Sequence, residues 1–245
     1  MLATSRKLPR PWPPPTIPVI RSSVYTDRYA TSGNGDPGSS YGTTWGIGNL
    51  FYLDSLAGSP MYIQNNSDES QNGWTTWANS NNFLCSVRHA TTAWTNTPAK
   101  TLVSGDIGKI HLQIVCVEAA NIYHYFDRAL VGSVSLPGFR PGVSKGMLLA
   151  HNLGYPCIGL GLMAHWTFTG SGTLANVQTW HDAVKTAKDV PASFSGISFR
   201  SRYSVRESRI ADANLATILD STGNGRHMAK VGNPTQGFVA NSWSW

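Results

Sequence analysis

The 245-residue sequence predicts an all-β fold of antiparallel sheets packed face to face. Three observations carry this prediction. Apolar residues alternate with a period of two through several runs from Phe83 onward. The runs are separated by glycine- and proline-marked turns, with 24 Gly and 14 Pro in all. Parallel β/α units would need intervening helices of about ten residues or more, and the chain offers a single weak candidate. One β-rich domain of this length buries a sizeable core, whereas two domains would be small.

Residues 1–31 read as an extended arm. Pro9, Pro11, Pro13, Pro14, Pro15 and Pro18 favour polyproline geometry, which builds no packed core by itself. Arg6, Lys7, Arg10 and Trp12 make its first part basic and sticky, the composition of a segment that docks on a neighbouring subunit. The first thirty residues hold five basic side chains against Asp27 alone, so they carry most of the formal net charge of +6. The remainder is nearly neutral, which excludes a body-wide footprint for nucleic acid. Pro11 to Pro15 stand where a secretory signal would need its apolar core. No run of 18 apolar residues is present to span a membrane.

Residues 32–245 read as the body. Ser32 to Thr44 is a loop by composition, and Trp45 to Leu53 is its first strand. Gln64 to Asn82 is a long polar tract punctuated by Trp74 and Trp77. Phe83, Cys85 and Val87 then alternate with Leu84, Ser86 and Arg88. Ile110, Leu112, Ile114 and Cys116 do the same, as do Ile122, His124 and Phe126, with a hairpin turn at Ala119 to Asn121. Ile158, Leu160, Leu162, Ala164, Trp166 and Phe168 form a further alternating set. The single peripheral helix is expected from Thr179, as cap, to Lys188, with Trp180, Ala183, Val184 and Ala187 on one face. Ile197 to Val205 is again a strand. Asp220, Gly223, Asn224 and Gly225 make a tight turn before another short one. Trp243 and Trp245 imply a tail tucked in or docked on a partner.

Two stretches resemble laminin-G-like domains of the concanavalin A-like lectin superfamily. The run from Gly108 to Ser133 is similar to their central hairpin, with Asp127-Arg128 where they prefer Asn-Gly, and Asp220-Ser-Thr-Gly-Asn-Gly225 is similar to their opening segment. Ile158 to Phe168 followed by the helix looks like their last strand and closing helix. The resemblance implies a concanavalin-like jelly-roll sandwich. Because the opening segment stands last, the chain is either circularly permuted or carries an appended strand pair.

The catalytic options are thin. Concanavalin-like glycosidases need two carboxylates about 5 to 9.5 Å apart, yet Glu69, Glu118 and Glu207 are scattered and no paired-carboxylate motif lies on an expected strand. The expectation is therefore no enzyme. His111 and His124 on adjacent strands, with His151, His165 and His181 elsewhere, read as satisfied sheet histidines rather than metal ligands. Calcium, which some laminin-G-like domains use, would have only Asp68-Glu69 with Asn65 and Asn66. Cys85, Cys116 and Cys157 lie in apolar runs and read as buried thiols.

Carbohydrate binding needs an aromatic platform with nearby amides. Trp74, Trp77 and Trp94 with Asn79, Asn81 and Asn82 supply those residue types; core or interface indoles are the plain alternative. A signal-less, basic, Pro-rich arm on a lectin-like body resembles in layout the adhesin or spike subunits of tailed phages and phage-derived, gene-transfer-agent-like particles. This implies a virion-surface attachment subunit that assembles with neighbouring subunits and binds cell-surface glycan. A purely structural decoration or fibre subunit and a glycan-cleaving enzyme are the alternatives.

Overall fold

The computed structural model describes residues 16–31, 42–56, 61–67, 73–79, 81–88, 94–138, 146–149 and 156–245. Arg6, Lys7, Arg10, Trp12, Pro13, Pro14 and Pro15, and the Asp68-Glu69 pair, lie outside them.

In chain order the strands are β1 (Thr16–Arg21), β2 (Arg28–Thr31), β3 (Thr44–Leu53), β4 (Met61–Ser67), β5 (Gly73–Asn79) and β6 (Asn82–Arg88). There follow β7 (Trp94–Asn96), β8 (Lys100–Thr101), β9 (Ile110–Glu118), β10 (Asn121–Phe126), β11 (Ala129–Ser135) and β12 (Met147–Leu148). The chain ends with β13 (Leu160–Gly170), helix α1 (Leu174–Ala187), β14 (Ile197–Ser204), helix α2 (Val205–Ala211), β15 (Thr217–Ile218), β16 (Met228–Val231) and β17 (Thr235–Ala240). One sheet has the order β11-β10-β9-β3-β13-β1-β17, with β14 also beside β13. The other runs β15-β16-β2-β12-β4-β5-β6-β7, with β8 also on β6. The fold is an antiparallel β-sandwich, and among the described residues it carries two α-helices, one more than the sequence suggested.

The central strands of the first sheet are buried on both faces. In β9, His111, Gln113, Val115 and Val117 turn toward the second sheet, while Ile110, Leu112, Ile114 and Cys116 lie in a cluster with Val177, Trp180 and Val184 of α1. The molecule therefore has three layers: α1 and the C-terminal tail, the first sheet, and the second sheet. A register shift in β13 between Leu162 and Ala164 divides the alternating set read from the sequence. Leu160 and Leu162 pack between the sheets; Ala164, Trp166 and Phe168 turn under α1. Trp166 and Phe168 cover Gly48 and Gly46 of β3, where an added Cβ would stand 2.1 and 2.2 Å from the rings. Only glycine leaves room there.

Between the sheets a polar belt separates two apolar clusters. Asn49 Nδ2 donates to Gln113 Oε1 at 2.9 Å and to Thr76 Oγ1 at 3.2 Å, and His165 Nδ1 lies 2.8 Å from Asn49 Oδ1. Gln113 Nε2 lies 3.2 Å from His124 Nε2, and His124 Nδ1 lies 2.7 Å from the Pro98 carbonyl. All five side chains are fully buried. The two amides fix the tautomers. Asn49 Oδ1 accepts, so His165 carries its proton on Nδ1; Gln113 donates to His124 Nε2, so His124 also carries its proton on Nδ1.

Several expectations need correction. Residues 16–31 are not arm: β1 buries Ile17, Val19 and Ile20 and pairs with β17, while β2 pairs with β12 and β16. The polar tract from Gln64 holds most of β4 and all of β5, whose Trp74, Thr76 and Ala78 turn inward. The cap of helix α1 is Thr173, six residues before the one expected at Thr179. Thr173 accepts from the Asn176 amide at 3.3 Å, whereas the Thr179 hydroxyl donates back to the Ala175 carbonyl. Lys188, left-handed at φ 56°, ends the helix.

Candidate functional site

The six residues read as a sugar platform are not brought together. Trp74 is fully buried between the sheets, its ring 5.8 Å from that of His165, because β5 alternates and Trp74 has the inward parity. A buried indole offers no stacking face to a ligand. Trp77 and Trp94 have the outward parity. Trp77 Nε1 donates to Ser86 Oγ at 2.7 Å, which donates to Asn96 Oδ1 at 2.6 Å; Trp94 is 37% exposed. In register Trp77 stands opposite Leu84, and Trp94 opposite Arg88 on the far side of β6. That offset is two strands and four residues, roughly 16 Å, too wide for one sugar ring to touch both. Asn79 closes β5 opposite Asn82. Asn81 and Asn82 are exposed at the β5–β6 turn, where Asn82 Oδ1 accepts from Thr101 Oγ1 at 2.9 Å.

That last contact leads to a groove that no sequence motif marks. With a volume of about 530 Å³, it is lined by Ala99, Lys100, Thr101, Asp106, Lys109, Phe126, Asp127, Ala129, Leu130, Val131 and Ser244. Its size lies within the range of about 300–1,000 Å³ usual for small-ligand sites. The second sheet contributes β8, the first contributes the β10–β11 hairpin, and the C-terminal tail supplies Ser244.

The hairpin turn shapes one wall. Asp127 and Arg128 are both left-handed, at φ 46° and 71°, the backbone that makes Asn-Gly the favoured pair at such turns. Asp127 stands there for another reason. Its Oδ1 accepts from the Leu112 amide at 2.9 Å, and its Oδ2 from the Ser244 hydroxyl at 2.5 Å, with His111 Nδ1 also 2.6 Å away. The same carboxylate thus ties the turn to β9 and to the tail. The Ile110 amide donates to the Ser242 carbonyl at 2.6 Å, and Trp245 packs edge-on against His181 at 5.2 Å between centroids. The tail is tucked in, the first of the two alternatives its tryptophans implied.

Histidine does not form a metal pair here. His111 is bound to Asp127 and to the Asp106 carbonyl, while His124 belongs to the polar belt. Burial pushes His124 down to about 4 and His165 down to about 3, against weaker upward pulls from the Pro98 and Gly48 backbone. Among the described residues no cluster of three or more His, Cys, Asp or Glu is placed to hold a metal ion. Asn65 and Asn66 lie in β4. Cys85, Cys116 and Cys157 are free, buried thiols. At the other end of the molecule Asp220 organises its turn: Oδ1 accepts from Thr222 Oγ1 at 2.7 Å and from the Arg202 amide at 3.2 Å.

No protein-family model and no curated protein sequence matches the chain. Solved structures do. The binding domain of botulinum neurotoxin DC, in complex with SialylT, aligns with a TM-score of 0.52 and 8% identity over 69% of this chain and 46% of that one. A botulinum neurotoxin type C structure, whose cell entry depends on two ganglioside molecules, gives 0.51 and 10% over 69% and 46%. The binding domain of Paraclostridial Mosquitocidal Protein 1 gives 0.53 and 11% over 69% and 44%. The likeness is one of fold. The chain spans less than half the length of these structures.

Lys100, Lys109, Leu130 and Ser244 carry no signal in the sequence because each is unremarkable alone. The one available signal was Asp127-Arg128 in place of Asn-Gly, which marks a turn kept for its side chain.

Proposed function

We propose that the chain is a non-enzymatic, glycan-binding β-sandwich that serves as the attachment subunit of a virion-type or phage-derived particle. The observation that carries the binding function is the groove beside the β10–β11 turn. It joins an apolar wall of Leu130, Val131 and Phe126 to the hydroxyls of Thr101 and Ser244 and the ammonium groups of Lys100 and Lys109, the mixture of C–H and polar surface that a sugar ring requires. The toxin structures that share the fold, described with SialylT and with gangliosides, support a glycan as ligand. Cleavage is disfavoured. Asp106 and Asp127 both line the groove, but Asp127 spends both oxygens on three groups and Asp106 Oδ2 accepts from the Val103 amide at 2.8 Å, so the two do not form a free carboxyl pair.

A glycan array probed with the full chain and with Leu130→Glu tests the binding function. Leu130 is 46% exposed, so the variant folds while placing a charge on the apolar wall. Binding by the parent and at least tenfold weaker binding by the variant is the expected outcome. Release of reducing ends from a bound glycan would instead establish an enzyme. A structural subunit is the second reading, favoured by Ile210 at 80% and Phe238 at 53% exposure on neighbouring α2 and β17. Silence on the array with self-association in sedimentation would select it. The assembly arm is tested by the same sedimentation on residues 16–245, a truncation that spares β1: loss of the oligomer supports an arm that docks on neighbours, and an unchanged oligomer removes it.

A further inference from the structure

The charges in the groove narrow the ligand class, on the reading of the groove as a glycan site. Two carboxylates and two ammonium groups line it, but they are not equally available. Asp127 spends both oxygens on Leu112, His111 and Ser244, and Asp106 Oδ2 is held by the Val103 amide. Donors from the protein thus already meet both oxygens of Asp127 and one of Asp106. The lysines are different. Among the described residues neither forms an ion pair. Lys100 Nζ stands 5.9 Å from the centroid of the Phe126 ring, whose face favours an ammonium at that range and keeps it at the groove.

Beside the ammonium groups runs an apolar strip, Ala129, Leu130 and Val131, on the exposed edge strand β11. A neutral sugar would use the strip and leave both cations to water. A ring with a carboxylate at one end and a C–H face along its side would use both. We propose that the groove recognises a terminal acidic sugar, its carboxylate held by Lys100 and Lys109 and its ring lying against Leu130 and Val131. With two fixed carboxylates nearby the groove is close to neutral overall, so selection comes from contact pairing rather than from a long-range field, and it weakens as salt screens the pair.

Calorimetric titration of the full chain with 3′-sialyllactose and with lactose, in low and in physiological salt, tests this. Both lysines are partly exposed, so Lys100→Ala with Lys109→Ala is expected to melt at the parent temperature. The acidic sugar should bind about tenfold more tightly than lactose, the factor expected of two partly solvated charge contacts. The double alanine variant should bring the two sugars level, and Lys100→Arg with Lys109→Arg should keep the preference. Equal affinity for both sugars, or a preference that survives the alanine variant, overturns the acidic-sugar inference and leaves a neutral glycan site standing. A parent chain silent toward every glycan on the array removes the glycan reading itself.

Discussion

At the scale of single residues, the polar belt decides how the sandwich responds to acid. His124 and His165 are held neutral, at about 4 and about 3, chiefly by burial. Their ordinary value is about 6.5 in the unfolded chain. Between those limits the unfolded state binds more protons, so stability is fully present above pH 6.5 and is lost as the pH falls toward 4. The geometry states the reason: a proton on His124 Nε2 would point at the Gln113 amide donor, and one on His165 Nε2 would find no acceptor. His181, also lowered by burial, acts in the same direction. Asp189, raised to about 6 mainly by burial, acts oppositely, gaining stability as the pH falls below 6. Two buried histidines outweigh one carboxyl. Urea unfolding is therefore expected to give a stability lower at pH 5 than at pH 7 by a few kcal/mol, because each ring kept neutral in the fold costs about 1.4 kcal/mol per pH step below 6.5. His165→Asn keeps a donor for Asn49 without a titrating ring, so its stability, lower at pH 7, should change less between the two pH values. An equal change in parent and variant would refute the role of His165.

At the scale of elements, the β10–β11 turn shows a local preference overruled by a distant contact. Asn-Gly would relieve the two left-handed residues, but only a carboxylate at position 127 satisfies the Leu112 amide, His111 and Ser244 together. Asp127→Ala is expected to cost about 3 kcal/mol, because it strands a β-strand amide and an imidazole nitrogen that have no other partner. Hydrogen exchange should then quicken at residues 241–245, whose tail loses one anchor; unchanged protection there would show that the Ile110 bridge and the contacts of Trp245 with Lys185 and His181 hold the tail without it. The element scale also shows what the sequence could convey. Strong alternation made β6, β9 and β13 legible, since one parity of each is apolar, while in β10 Ile122 and Phe126 on either side of His124 marked the inward face. The β4–β5 pair was not, because Thr75, Thr76 and Trp77 put polar atoms on both faces and the inward Thr76 is satisfied only by Asn49, 27 residues away. The start of helix α1 was misplaced although Leu174 and Val177 continue the stripe of Trp180 and Val184, because Thr179 offered a second residue of capping type inside the helix. The groove was illegible for a related reason: its walls come from β8, the β10–β11 hairpin and the tail, which no local pattern connects.

At the scale of the whole molecule, the first and last strands of the described residues are woven into both sheets. β17 pairs with β1 along its full length, from Thr16 opposite Ala240 to Arg21 opposite Thr235, and β16 pairs with β2. After residues 188–196, β14 returns along β13, and the Asp220 segment that resembles a laminin-G opening bridges to β14 where Asp220 stands opposite Tyr203. The strand after the Asp220 turn pairs with β2 rather than with β3, because β3 is enclosed by β9 and β13. That pairing departs from the one a permuted sandwich calls for, and the permuted reading is left with one expectation to test, that the ends of the described residues can be joined and the chain divided between α1 and β14. Trp245 is bound by Lys185, and Lys188, one helical turn on, shares a small pocket with Thr16. A glycine-serine linker of about ten residues therefore reaches from the last residue to β1. Ala192 and Ser193 are exposed and lie outside any strand or helix, which makes the bond between them the place to open the chain. A protein that starts at Ser193, runs through Trp245 and the linker to Thr16, and ends at Ala192 keeps every described strand. It is expected to unfold in one cooperative urea transition with a slope like that of the parent. A broad or absent transition would mean that the present ends form an appended strand pair whose attachment depends on the existing order, and that β14 is not the start of an older chain.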